Sequence, residues 1–157
     1  MHVFGPAVLR LAVGVVFVAH GAQKLFGLGG GGGPSGTAAF FQQLGLSPAY
    51  LLALFVGLIE FFGGLLLIAG AFTFVVSILL TLNMIVAVWK VHLGSGFFLN
   101  WTNAPGLGHG YEFNLVLIAS LVALMLTGPG TLSVDGWRLR SAESLAAGRA
   151  RLRAGGV

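Results

Sequence analysis

Four long apolar blocks, at about residues 6–26, 50–70, 72–92 and 111–127, decide what this chain can fold into. A helix needs about 20 residues to cross the hydrocarbon core of a bilayer. The first three blocks reach that length, and the fourth takes Tyr111 and Glu112 to open it. Only 8% of the residues are charged and the mean hydropathy is +0.97. Soluble domains carry about a quarter charged residues, which excludes a water-facing shell. The expected fold is all-α: an integral membrane four-helix bundle over residues 1–135, followed by a basic tail over 136–157. Four helices in 157 residues leave no room for a second domain.

Local signals mark the joints. Pro6 stands where the first helix starts, a position that tolerates its missing N–H. Leu28–Gly36 reads as a flexible glycine-rich loop; no Lys-Ser/Thr follows the glycines, so a phosphate-cradling role is a poor fit. Thr37–Leu44 suggests a short interfacial helix in the first outer loop, with Phe40 and Phe41 toward lipid. Ser47-Pro48 reads as an N-cap with proline at the first helical position. A tight hairpin is expected at Gly70. Gly128-Pro129-Gly130 stops the fourth helix, and the Arg- and Ala-rich tail suggests an amphipathic surface helix. The apolar character after Arg10 resumes beyond Lys24, so the first block reads as an uncleaved helix rather than a leader.

Charge sets the orientation. The tail holds Arg138, Arg140, Arg149, Arg151 and Arg153 against Glu143 alone, and cytoplasmic flanks collect basic residues. Both termini are therefore expected inside, in the cytoplasmic membrane of a bacterium or archaeon. Tyr50, Trp89, Trp101 and Tyr111 then fall at the outer interface and Trp137 at the inner one, as aromatic belts require. The basic pI belongs to this membrane-flanking tail and does not argue for nucleic acid. Membrane lipids are the expected partner of the tail, about 1 kcal/mol per basic residue near an anionic surface.

The tail carries the whole net charge of +4, so the membrane part balances: Arg10, Lys24 and Lys90 against Glu60, Glu112 and Asp135. An unpaired charge at the bilayer centre costs about 3 kcal/mol on insertion scales. Depth along the helices, at about 1.5 Å per residue, pairs Arg10 with Asp135 at the inner face. It likewise pairs Glu112 with Lys24 or Lys90 at the outer. Glu60 lies near the midplane with Asn83 at similar depth and no cation clearly level with it; it is either protonated or reached by Arg10 or His20. Arg10, Gly14, Phe17, His20, Gly21 and Lys24 share one face of the first helix, and Ala53, Gly57, Glu60 and Gly64 one stripe of the second. Glu112, Ala119 and Ala123 align on the fourth. Small residues beside polar ones mark close packing in lipid, and His20 and Lys24 are expected to point into a shared polar pocket.

The series Arg10…Gly14…His20-Gly21…Lys24-Leu25-Phe26-Gly27, Glu60…Gly63-Gly64, His92…Gly96-Phe97-Phe98, Gly110-Tyr111-Glu112-Phe113 and Gly128-Pro129-Gly130…Ser133…Asp135 resembles the DoxX family. The likeness runs from about Leu9 to Asp135. It implies a four-helix bacterial or archaeal inner-membrane protein linked to quinone-dependent sulfur oxidation, or to complexes that handle oxidative stress and thiol balance. It implies no defined active site, and the wider superfamily includes cargo receptors of the endoplasmic reticulum.

Three readings follow. A quinone or other small redox ligand would be bound or polarised by His20 and Lys24, with Phe17, Phe97, Phe98 and His92 around it and Glu60 and Glu112 handling protons. The cofactor stays unassigned: quinone suits these residues, whereas a haem held by His20 and His92 suits them less, because His92 lies at or beyond a helix end. No metal site is expected. The structural reading makes Arg10, Asp135, Lys90 and Glu112 ion pairs that set helix register. The accessory reading makes the chain a non-catalytic subunit packed against a larger membrane complex. Zero cysteines exclude thiol chemistry and thiolate-held clusters from the chain itself. Oligomeric state is left open, a homo-oligomer included.

Overall fold

The computed structural model describes residues 4–154, with the side chains of residues 148–154, including Arg149, Arg151 and Arg153, outside that description. Helix α1 spans Gly5–Phe26, with Pro6 in its first turn, and ends where Gly27 turns left-handed (φ 69°) and donates to the Gln23 carbonyl. A 3-10 turn, Leu28–Gly30, leads to α2, Gly33–Gln43. Helix α3 spans Ala49–Ala69 and stops at the left-handed Gly70. Helix α4, Thr73–Ala87, runs on through a π turn, Val88–His92, and a 3-10 turn, Leu93–Ser95. Helix α5 is Glu112–Thr127 and α6 is Val134–Ala154.

Three helical runs, Gly5–Phe26, Ala49–Ala69 and Thr73–Ser95, are long and apolar enough to cross a membrane. Helix α5, with 16 residues, reaches about 24 Å. The glycine run is less of a loop than its composition suggests: α2 begins at Gly33 inside it, with Pro34 in the first turn. Phe41 does not face outward but packs on the buried Ala38, Ala49 and Ala53, while Phe40 is exposed. Ser47 makes no cap; Pro48 itself is the extended residue before α3. Helix α6 starts before the expected tail and includes Asp135.

The helices close a ring in which α1 packs on α3, α3 on α4, α4 on α5 and α5 on α1, with α2 laid across α1 and α3. Val13, Phe17, Leu67, Val76, Leu80, Met84, Leu117, Leu121 and Leu124 fill its centre. The outside is as apolar as the inside: Val8, Val15, Phe55, Phe62, Leu82 and Val116 are all exposed. In lipid such a core gains little from leaving its solvent, so close van der Waals contact must hold it together. On α5 the buried face is Asn114, Leu117, Leu121 and Leu124, not the expected Ala119 side, which is exposed.

The α1–α3 crossing shows how that contact is reached. A Cβ on Gly14 would stand 2.8 Å from the Gly64 carbonyl oxygen, and one on Gly64 2.6 Å from that of Gly14. A Cβ on Gly21 would run into the backbone of Phe61, and one on Gly57 would meet Leu25 at 2.8 Å. The backbones touch because four side chains are missing. Gly64→Ala is therefore expected to destabilise the bundle by about 1–3 kcal/mol, as overpacking does. Gly36→Ala, on the open face of α2 with nothing within 4 Å, should cost nothing. Unfolding in mixed detergent, followed by tryptophan fluorescence, separates the two.

Candidate functional site

The close α1–α3 crossing places the last turn of α1 against the middle of α3. Lys24 Nζ lies 2.5 Å from Glu60 Oε2, and Asn83 of α4 donates its amide to Glu60 Oε1 at 2.9 Å. Each carboxylate oxygen thus has a partner, on a side chain only 3% exposed. Lys24 leans inward from the helix end and remains 24% exposed. Its position in the last turn of α1 also suits the negative end of the helix dipole. Among the described residues this is the one ion pair within 4.0 Å. Glu60 therefore does have a cation at its depth. A lysine can lower its charge by the length of its stem, which counting rise along a helix does not show.

His20 stands one turn before Lys24, on neighbouring ground of α1, at the edge of the polar face. It is exposed. Phe17 is part of the packed core, 1% exposed, and so cannot flank a ligand beside His20.

Arg10 and Asp135 share a level at the end of the bundle that carries α6, as expected, but form no direct pair. Arg10 is 1% exposed and gives Nη1 to the carbonyls of Leu67 (2.9 Å) and Ile68 (3.1 Å), and Nη2 to that of Leu132 (2.6 Å). Asp135 takes the backbone N–H groups of Phe72 (2.9 Å) and Thr73 (2.8 Å). The cation satisfies the last carbonyls of α3 and the anion the first amides of α4, each at the favourable end of a helix dipole. Gly70 between them is obligatory: its backbone is left-handed, and a Cβ there would collide with the Arg10 guanidinium and Ser133.

The opposite end is built from the loop between α4 and α5. Gly110, Tyr111 and Glu112 donate backbone N–H groups to the carbonyls of Phe98, Gly96 and Phe97, and a Cβ on Gly110 would stand 2.5 Å from all three. Glu112 pairs with neither Lys24 nor Lys90; its Oε1 accepts the Leu99 N–H at 3.0 Å. Lys90 sits over the Trp89 ring, 4.1 Å from its centre. His92 Nδ1 donates to the His109 carbonyl at 2.8 Å, since a carbonyl can only accept. Phe97 meets Phe98 and Tyr111 edge-on at 5.1 and 5.4 Å. Phe97, Phe98 and Tyr111 thus form their own cluster, and a cavity of about 540 Å³ lies in that loop, lined by Phe98, Asn100 and Trp101 but by no residue of the Lys24–Glu60 group.

Two features have no counterpart in the sequence reading. Asn114, buried on α5, gives its amide to Met84 Sδ at 3.5 Å; its place on the face of Leu117 and Leu121 is the signal that would have found it. The π turn at Val88–His92, a feature often seen at functional sites, rotates Lys90 and His92 away from the register of a regular helix.

Residues 5–93 match the DoxX family. The chain is 33% identical over 131 residues to "Putative oxidoreductase CatD" of Bacillus subtilis, covering 83% of this chain and 84% of that one. It is 30% identical over 144 residues to "Uncharacterized membrane protein Rv3486" of Mycobacterium tuberculosis, covering 86% and 83%. No solved structure matches it. By the family match over residues 5–93 and by these two relatives, the chain belongs to the DoxX family of membrane proteins.

Proposed function

We propose that the chain is a subunit of a redox-linked system of the bacterial or archaeal cytoplasmic membrane, with both termini inside. In this reading the Lys24–Glu60–Asn83 group binds the head of a quinone that enters from lipid past His20. One observation carries the reading: a buried carboxylate held by a lysine that is itself part-exposed, beside an exposed histidine, at a depth where surrounding side chains are apolar. Ionisable groups within a membrane span are functional candidates by default. The name of the Bacillus subtilis relative points the same way.

Reducing a quinone to a quinol takes two electrons and two protons. His20 and Lys24 would donate hydrogen bonds to a carbonyl oxygen, and Glu60 would pass protons to it. The electrons would come from a partner subunit bearing a flavin, haem or iron–sulfur group. Glu112, tied to the Leu99 amide, would act only at the loop end.

A second reading, a non-catalytic accessory subunit, is favoured by the broad apolar faces of α3 and α4, where Phe55, Phe62, Phe74, Val75 and Leu82 are exposed. Those faces suit lipid and partner helices equally.

Stability and binding separate the two readings. Lys24→Met leaves a buried carboxylate without its cation and is expected to cost about 3–5 kcal/mol, whereas Lys24→Met with Glu60→Leu should return to within about 1 kcal/mol of the parent. Retention of a radiolabelled short-chain quinone by the purified protein is then measured on the stable double variant. Loss of retention supports the quinone site; retention equal to the parent's makes the pair structural. His20→Ala should weaken retention about tenfold, one hydrogen bond's worth, with unfolding unchanged because the side chain is exposed. An unchanged affinity would remove His20 from the site.

A further inference from the structure

Among the described residues, four buried side-chain nitrogen and oxygen atoms have no hydrogen-bond partner: Arg10 Nε, Thr73 Oγ1, Ser77 Oγ and Thr81 Oγ1. They are not scattered. Thr73, Ser77 and Thr81 stand on successive turns of α4, within about 80° of one another and over about 12 Å of its length. Thr73 is 1%, Ser77 0% and Thr81 9% exposed. The row starts where Asp135 holds the Thr73 amide, beside the α3 end that Arg10 clasps. It ends at the depth of Met84, which meets Asn114; Asn83, which bonds Glu60, lies at similar depth but about 160° round the helix from Thr81.

These hydroxyls behave unlike four others on the helices. Thr37, Ser120, Thr127 and Ser141 each donate to the carbonyl four residues back, at 2.7–3.0 Å. That is the usual way to bury a hydroxyl in a helix. Ser77 and Thr81 have such a carbonyl available, on Thr73 and Ser77, and make no hydrogen bond to it. Close packing does not explain the row either, because alanine would permit the same approach of α5 with no polar group to satisfy. Buried polar groups in folded proteins are paired, by protein or by ordered water.

We infer that Thr73, Ser77 and Thr81 line a file of internal waters along the seam of α4 and α5, open toward the inner membrane face at Arg10 and Asp135, which gives protons access to the depth of Glu60. The file itself stands without the quinone reading; only its destination rests on that reading. Hydroxyls both donate and accept, so a water chain along them passes protons without any of them changing charge. The leucines that fill the centre of the ring, Leu80 and Leu121 at 0% exposure, keep the remainder of the bundle dry.

Because the chain has no cysteine, single thiols report the file directly. Ser77→Cys and Thr81→Cys, reconstituted in sealed vesicles of either orientation, are exposed to silver ion, which is small enough to follow water. Both are expected to react at least about tenfold faster than Leu121→Cys, and faster from the tail side. Reaction no faster than at Leu121, or from the opposite side only, overturns the inference. A second measurement uses the parent protein and needs no substitution to fold: X-ray radiolytic footprinting, in which bound water oxidises neighbouring side chains. Met84, 7% exposed, should be oxidised, and the joint Ser77→Ala, Thr81→Val variant should lower that oxidation several-fold, whereas Ser120→Ala should leave it unchanged. An unoxidised Met84 overturns the file. Neither readout involves quinone, so loss of quinone retention and loss of the file are told apart.

Discussion

A carboxylate placed among hydrocarbon needs every one of its acceptors filled, and the bundle is arranged around that need at Glu60. Three helices contribute to it: α3 supplies the carboxylate, α1 the Lys24 ammonium and α4 the Asn83 amide. The Lys24–Glu60 contact needs α1 and α3 to cross at backbone distance, which Gly14, Gly21, Gly57 and Gly64 allow. The small residues and the charge pair are therefore one device. The glycines make the approach, and the pair gives the approach a register, because sliding α1 by one turn would strand a buried charge.

The same logic acts at the α6 end with different chemistry. Arg10 and Asp135 oppose each other in charge yet spend their hydrogen bonds on backbone, closing the carbonyls of α3 and the amides of α4. In water such helix ends are solvated; near lipid they must be satisfied from within. This explains why the arginine can be buried so completely. It neutralises no single carboxylate but stands at the negative pole of a helix, with Asp135 close enough to balance the field. Ser133 and the turn at Gly130 bring Asp135 into place through the 3.0 Å bond from the Gly136 amide to Ser133 Oγ.

Much of the bundle is legible along the chain because lipid imposes length and charge balance on sequence directly. The apolar blocks match α1, α3, α4 and α5 to within a few residues, and the stripe Ala53, Gly57, Glu60, Gly64 is buried as its spacing implies. Side-chain reach is less visible. Lys24 travels inward to Glu60, which leaves Glu112 and Lys90 to find backbone and aromatic partners in the loop. His20 lies at the edge of the polar face, and a few tens of degrees of rotation decide whether such a residue faces the bundle or its surroundings. Phe17 and Phe97 share aromatic character and the same half of the chain's depth, but one fills the core and the other braces a hairpin.

The sequence alone determined that the chain is helical, that it lies in a membrane and that its few charges must be answered within it, since transfer energies depend on composition and length. Only the tertiary structure decided which charge answers which. Pairing depends on helix rotation, on the flex of long side chains and on the turns at Gly70 and Gly110, and these are settled by contact between segments distant along the chain.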